Sequence, residues 1–93
     1  MQQLLSIVIP VYNEEVVLDE LYRRTCDALS SLDLRVELIF VDDGSVDGTA
    51  AQLAALREAD PRIAIVELSR NFGKEVALTA GMDHAAGDAV IVM

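Results

Sequence analysis

The chain has 93 residues, 53% hydrophobic and 25% charged, the composition of one small globular domain rather than of a disordered segment. Seven basic against sixteen acidic residues leave a net charge of −9, the wrong sign for a phosphate-backbone partner, so no nucleic acid is expected as a ligand. Four aromatics are too few for a single-strand stacking platform, a lone Cys26 allows neither an internal disulfide nor a zinc cluster, and no apolar run approaches the roughly 18 residues of a membrane span.

Apolar periodicity then divides the chain into alternating elements. Leu4 to Val11 is a dense apolar run containing the β-branched Ile7, Val8 and Ile9, with Pro10 near its end. Next comes a helical pattern in which Leu18, Leu21, Thr25, Leu29 and Leu32 recur at three- and four-residue spacing. Asn13 is its expected N-cap, and Glu14 and Glu15 fall in its first turn. Val36 to Val41 is a second strand, and Thr49 with Gln52 gives a capping-box signature for a second helix carrying Leu53 and Leu56. After Pro61, Ile63 to Leu68 forms a third strand. A third helix is expected from Asn71–Gly73 to Ala86, with Leu78, Met82 and Ala85 as one stripe, Ala77, Ala80 and Gly81 as small residues that permit close packing on a sheet, and Gly87 as its C′ residue. Ala89 to Met93 is a fourth apolar run.

Continuous apolar strands alternating with helices predict a parallel sheet covered on both faces, a three-layer α/β/α domain of Rossmann-like character. Right-handed crossovers narrow the topology. If strands one to three step in one direction, their two helices share a face. A fourth strand returning beside the first puts the third helix on the other face. The expected order is 3-2-1-4, with a switch point between strands one and four where ligands bind at the carboxyl ends.

The residues at those ends are informative. Pro10-Val11-Tyr12-Asn13-Glu14-Glu15 carries no Gly-x-Gly-x-x-Gly fingerprint, and no phosphate-binding loop of the G-x-x-x-x-G-K-[ST] type occurs anywhere. Tyr12 and Glu14 fit either a base and ribose cradle or an ordinary sheet edge and helix start. Asp42 and Asp43 follow a buried strand, where paired carboxylates need partners or a ligand. Their side chains alternate, so Asp42 is assigned to holding the following loop by its backbone N–H groups. Asp43 is assigned to the crevice, as acceptor for a base N–H. Ser45, Asp47 and Thr49 also fit a plain Asx-turn loop. Arg70 and Lys74 flank the start of the third helix, suited to an anion or to a surface ion pair. His84 and Cys26 are read as structural.

Taken together, Ser6-Ile7-Val8-Ile9-Pro10-Val11-Tyr12-Asn13-Glu14-Glu15 and Val41-Asp42-Asp43-Gly44-Ser45 with Asp47-Gly48-Thr49 resemble the N-terminal half of a family 2 glycosyltransferase domain. Leu68-Ser69-Arg70-Asn71-Phe72-Gly73-Lys74-Glu75, then Ala80-Gly81 and Gly87-Asp88, is similar to the bacterial polyprenyl-phosphate glycosyltransferases and dolichol-phosphate mannosyltransferases. The resemblance implies a GT-A fold and a nucleotide-diphosphosugar site. Pro10, Tyr12 and Glu14 would line the nucleotide, Val41 and Asp43 would meet the base, and Gly73 and Lys74 would close over it.

It further implies transfer of a sugar from a UDP- or GDP-sugar to a lipid phosphate with inversion. Mg2+ or Mn2+ would neutralise the leaving diphosphate. The setting implied is the cytoplasmic face of a membrane, reached through C-terminal segments. The Asp-x-Asp metal motif of the family has no counterpart in these residues. The chain therefore reads as an N-terminal piece, incomplete at its C-terminus, with no catalytic or metal-ligating residue of its own and an open fourth strand. Two rival readings are a noncatalytic binding module and a receiver-like signalling domain. The second fits less well, because its acid pair would follow the first strand, where Tyr12-Asn13-Glu14 stands.

Overall fold

The computed structural model describes residues 3–93. In chain order it contains β1 (Leu4–Val11), α1 (Leu18–Leu29), β2 (Arg35–Asp42), α2 (Thr49–Ala59), β3 (Ile63–Glu67), α3 (Lys74–His84) and β4 (Ala89–Val92). All pairings are parallel and the sheet order is β3-β2-β1-β4, as the crossover argument requires.

Register explains the layering. Ile7 pairs with Leu38 and Ile9 with Phe40, so the odd positions of β1 and the even positions of β2 share one face. Leu5, Ile7, Ile9, Val11, Leu38 and Phe40 form a core there with Leu18 of α1 and Leu53 of α2. The opposite face carries Val8, Ile39 and Val41, packed against Ala77 of α3. Two helices thus cover one face and one covers the other.

Several local expectations are corrected. Asn13 does not cap α1, whose first turn starts after Val17 without a side-chain cap. Asn13 instead adopts a left-handed conformation, φ 50°, and accepts a hydrogen bond from the amide of Val46 through its Oδ1, at 2.9 Å. The Thr49–Gln52 capping box does not form. Gly48 is the N-cap, the Thr49 hydroxyl is taken by the Glu14 amide, and the Gln52 side-chain oxygen is buried with no partner. On α3 the small residues Ala77 and Gly81 face the sheet as expected, and Leu78 and Ala85 pack against the same core, but Met82 points outward. A Cβ on Gly81 would lie 2.4 Å from Val8 Cγ1, so only glycine allows this approach of helix to sheet.

α3 ends at His84, short of Ala86, and Gly87 is not left-handed. Its lack of a side chain serves contact with β1 instead: an added Cβ would meet Ser6 N at 2.8 Å and Leu4 O at 2.9 Å. Around it Ser6 Oγ donates to Glu37 Oε2 and accepts from the Gly87 amide, while the Asp88 carboxylate accepts from the Leu4 amide. That clasp seats β4 beside β1. At the same lower end of the sheet, Asp60 is buried and accepts from the Tyr22 hydroxyl at 2.7 Å and from Arg62 Nη2 at 2.8 Å. β4 itself is exposed along its whole length.

Candidate functional site

Two loops at the carboxyl ends of β1 and β2 are zipped together. The Asn13 amide donates to Ser45 Oγ at 2.8 Å and the Glu14 amide to Thr49 Oγ1 at 2.9 Å. In return the Gly48 amide donates to Glu15 Oε2 at 3.1 Å. Asp47 accepts from the Thr49 amide, and Thr49 beside it holds the Asp47 carboxyl below its usual range. Asn13, Glu15, Ser45, Asp47 and Thr49 are therefore spent on shaping the rim, the plain-loop alternative for those positions.

The aspartate pair divides its labour. Asp42 points to the α1/α2 side, and its Oδ1 accepts from the Ser45 amide at 3.0 Å, the loop-holding role expected of it. Asp43 points to the α3 side and is 4% exposed. Its Oδ1 accepts from the Phe72 amide at 2.8 Å. Its Oδ2 accepts from the Gly73 amide at 3.1 Å and from Asn71 Nδ2 at 3.2 Å. The β3–α3 loop thus closes directly onto the Asp43 carboxylate, an arrangement no local sequence signal announces because the partners lie about thirty positions away. Gly44, at φ 75°, makes it sterically feasible: a Cβ there would fall 2.2 Å from the Arg70 carbonyl carbon.

Above this carboxylate opens a cleft of about 380 Å³ lined by Pro10, Val11, Tyr12, Glu14, Asp43, Asn71, Gly73, Lys74 and Met93. Six of the seven residues singled out from the sequence, Pro10, Tyr12, Glu14, Asp43, Gly73 and Lys74, meet there. Val41 does not line it: fully buried one step earlier on β2, it packs beneath α3, with Gly81 over its side chain. Val11, Asn71 and Met93 also line it without having been assigned to the site from the sequence, and of these Asn71 is the polar one. Tyr12 is 43% exposed and offers a ring face. Lys74 is the cation of the lining, at the first position of α3, where unpaired helix N–H groups also favour anions. Arg70 stays outside the lining, its guanidinium 4.7 Å from the centre of the Phe72 ring.

Size alone does not select this cleft. A hollow of about 440 Å³ lies on the α1 side of β1 and shares Pro10, Glu14 and Met93. One of about 510 Å³ lies at the opposite strand ends, around Val36, Pro61 and Ala86. The cleft over Asp43 is distinguished by position, outside the carboxyl ends where strand order reverses between β1 and β4, and by converging polar groups. Among the described residues there is no group of three or more His, Cys, Asp or Glu side chains that could hold a metal ion.

The model of glycosyl transferase family 2 matches residues 6–93. The chain belongs to glycosyl transferase family 2. An undecaprenyl-phosphate 4-deoxy-4-formamido-L-arabinose transferase of Sodalis glossinidius is 49% identical over 89 residues, covering 95% of this chain and 27% of the relative. Among solved structures, the mannosyltransferase PcManGT from Pyrobaculum calidifontis, in complex with GDP-Man and Mn2+, superposes with a TM-score of 0.77 at 27% identity. It covers 97% of this chain and 26% of its own. S. aureus TarS 1-349 in complex with UDP-GlcNAc gives a TM-score of 0.77 at 25% identity over 100% of this chain and 26% of that one. The fold is therefore that of the GT-A glycosyltransferases, and the chain spans about a quarter of the length of the curated relatives it matches.

Proposed function

We propose that this chain supplies the nucleotide half-site of an enzyme that transfers a sugar from a UDP- or GDP-sugar to a polyprenyl phosphate, with inversion at the anomeric carbon. The observation that carries the reading is the convergence of Tyr12, Glu14, Asp43, Gly73 and Lys74 on one cleft at the switch point of a family 2 domain. In this reading the Tyr12 ring stacks on the base, Asp43 accepts a base N–H, and Glu14 accepts from a ribose hydroxyl. Lys74 and the first turn of α3 offset diphosphate charge, which a chain of net charge −9 would otherwise repel. The relative named for undecaprenyl phosphate supports a lipid-phosphate acceptor.

Such an acceptor is already anionic, so its oxygen needs less help from a general base than a hydroxyl would. A lipid acceptor also sets the reaction at a membrane surface, on its cytoplasmic side in this proposal. No helix among the described residues is long and apolar enough to cross a membrane. A divalent cation, Mg2+ or Mn2+, belongs to the proposal for the whole enzyme. The test is transfer of labelled sugar from UDP- and GDP-sugars to undecaprenyl phosphate by the protein containing this chain, against its Asp43→Ala variant. Lipid-linked product that falls at least tenfold in the variant supports the proposal. Absence of transfer from every donor, or transfer indifferent to Asp43, overturns it.

A further inference from the structure

We infer that Asn71 makes the cleft selective for a uracil over a guanine nucleotide, by leaving the Asp43 carboxylate a single open acceptor position. The inference rests on the nucleotide reading above. An ionised carboxylate offers about four lone-pair sites, two on each oxygen. Consecutive amides of the β3–α3 loop take one oxygen each, Phe72 on Oδ1 and Gly73 on Oδ2, in the manner of a two-pronged fork. Asn71 Nδ2 adds a second donor to Oδ2, which fills that oxygen. Oδ1 keeps one position.

The two bases present different demands. The pairing edge of guanine carries N1–H and the N2 amino group side by side, a two-donor face that needs both carboxylate oxygens. Uracil presents one N3–H between two carbonyls and needs one. With Oδ2 filled, guanine leaves a donor unpaired against the buried Asp43 carboxylate, whereas uracil leaves none. The loop is held in place from two sides. Asn71 Nδ2 also lies 3.2 Å from the Asp43 carbonyl oxygen, and Gly44 is packed so tightly under Arg70 and Asn71 that no side chain fits between. Removing the Asn71 amide frees the second position on Oδ2 without touching the backbone fork.

The experiment titrates UDP and GDP separately, with Mg2+ present, into the protein containing this chain. It reads dissociation constants from amide chemical shifts of Phe72 and Gly73, for the wild type, Asn71→Ala and the volume-preserving Asn71→Leu. The expected result is UDP bound about tenfold or more tightly than GDP by the wild type, the scale set by one unpaired donor. The ratio should fall to within about threefold in a variant that keeps the wild-type amide pattern, through tighter GDP binding rather than weaker UDP binding. A general loosening of the loop would lower both affinities together and leave the ratio alone, which overturns the assignment. So does equal or GDP-favouring binding by the wild type, an outcome that needs no variant to fold and leaves the nucleotide site standing. Binding of neither nucleotide removes the nucleotide reading and the selectivity with it.

Discussion

Replacing Gly44 with alanine tests how far the cleft depends on one close approach. Two costs combine. An L-residue at φ 75° carries strain of roughly 1–2 kcal/mol. The new Cβ would also lie 2.2 Å from the Arg70 carbonyl carbon and 2.4 Å from the Asn71 nitrogen, both backbone atoms that cannot swing aside. Relief requires the β3–α3 loop to retreat by roughly 1 Å, and the 3.1 Å bond from the Gly73 amide to Asp43 does not survive that. Losing one hydrogen bond to a buried carboxylate costs about 1.5–3 kcal/mol.

The expected destabilisation is therefore about 3–5 kcal/mol, a large share of the stability of a small domain. Gly73→Ala is the internal control. Gly73 also has a positive φ, 101°, but nothing lies within 4 Å of its would-be Cβ. Strain acts alone there, and the expected cost is about 1–3 kcal/mol. Urea unfolding followed by far-UV circular dichroism gives both values. If Gly44→Ala costs no more than Gly73→Ala, the close packing of the two loops is not what holds the carboxylate in place.

Other outcomes follow from the same geometry. Gly81→Ala should destabilise by about 1–3 kcal/mol in urea melts although alanine is the better helix former, because its methyl group would press into Val8 and Val41. Arg62 first, then the Tyr22 hydroxyl, hold the Asp60 carboxyl well below the usual carboxylate range against the opposing effect of burial. Its contribution is complete above the unfolded carboxyl pKa near about 4 and fades as pH falls below it. Asp60→Asn should therefore flatten the acid limb of a thermal-stability profile while lowering the plateau at neutral pH. Tyr22 is raised above its usual range, chiefly by its bond to Asp60, so its share should be lost above roughly pH 10, and Tyr22→Phe should remove that alkaline limb. The 93-residue chain should self-associate through β4, and Ile91→Lys should suppress the concentration dependence in light scattering. Unchanged association would point to another surface.

Much of this architecture is legible in the residues because strongly apolar runs and right-handed crossovers leave few arrangements. The strand order follows from the crossovers, and the opposite facing of Asp42 and Asp43 from period-two alternation. What local patterns misjudge are positions with a better partner elsewhere. Asn13 and Thr49 both carry helix-start chemistry, yet each gives its side-chain oxygen to a backbone amide of the other loop. Met82 is apolar but sits outward, because the approach of α3 to the sheet is set by Ala77 and Gly81. Val41 shares the face of Asp43 but lies one step too early to escape α3. Asn71 stands in a recognisable string but received no site role there, because its contact with Asp43 exists only once β3 has brought it beside β2.

The most direct measurement of the central claim is a map of amide shift changes as UDP is added to the 15N-labelled chain. The account predicts perturbations gathered at residues 11–14, 43–45 and 71–74, where β1, β2 and the β3–α3 loop meet. Perturbations gathered instead around Val36, Pro61 and Ala86, at the other end of the sheet, would contradict it.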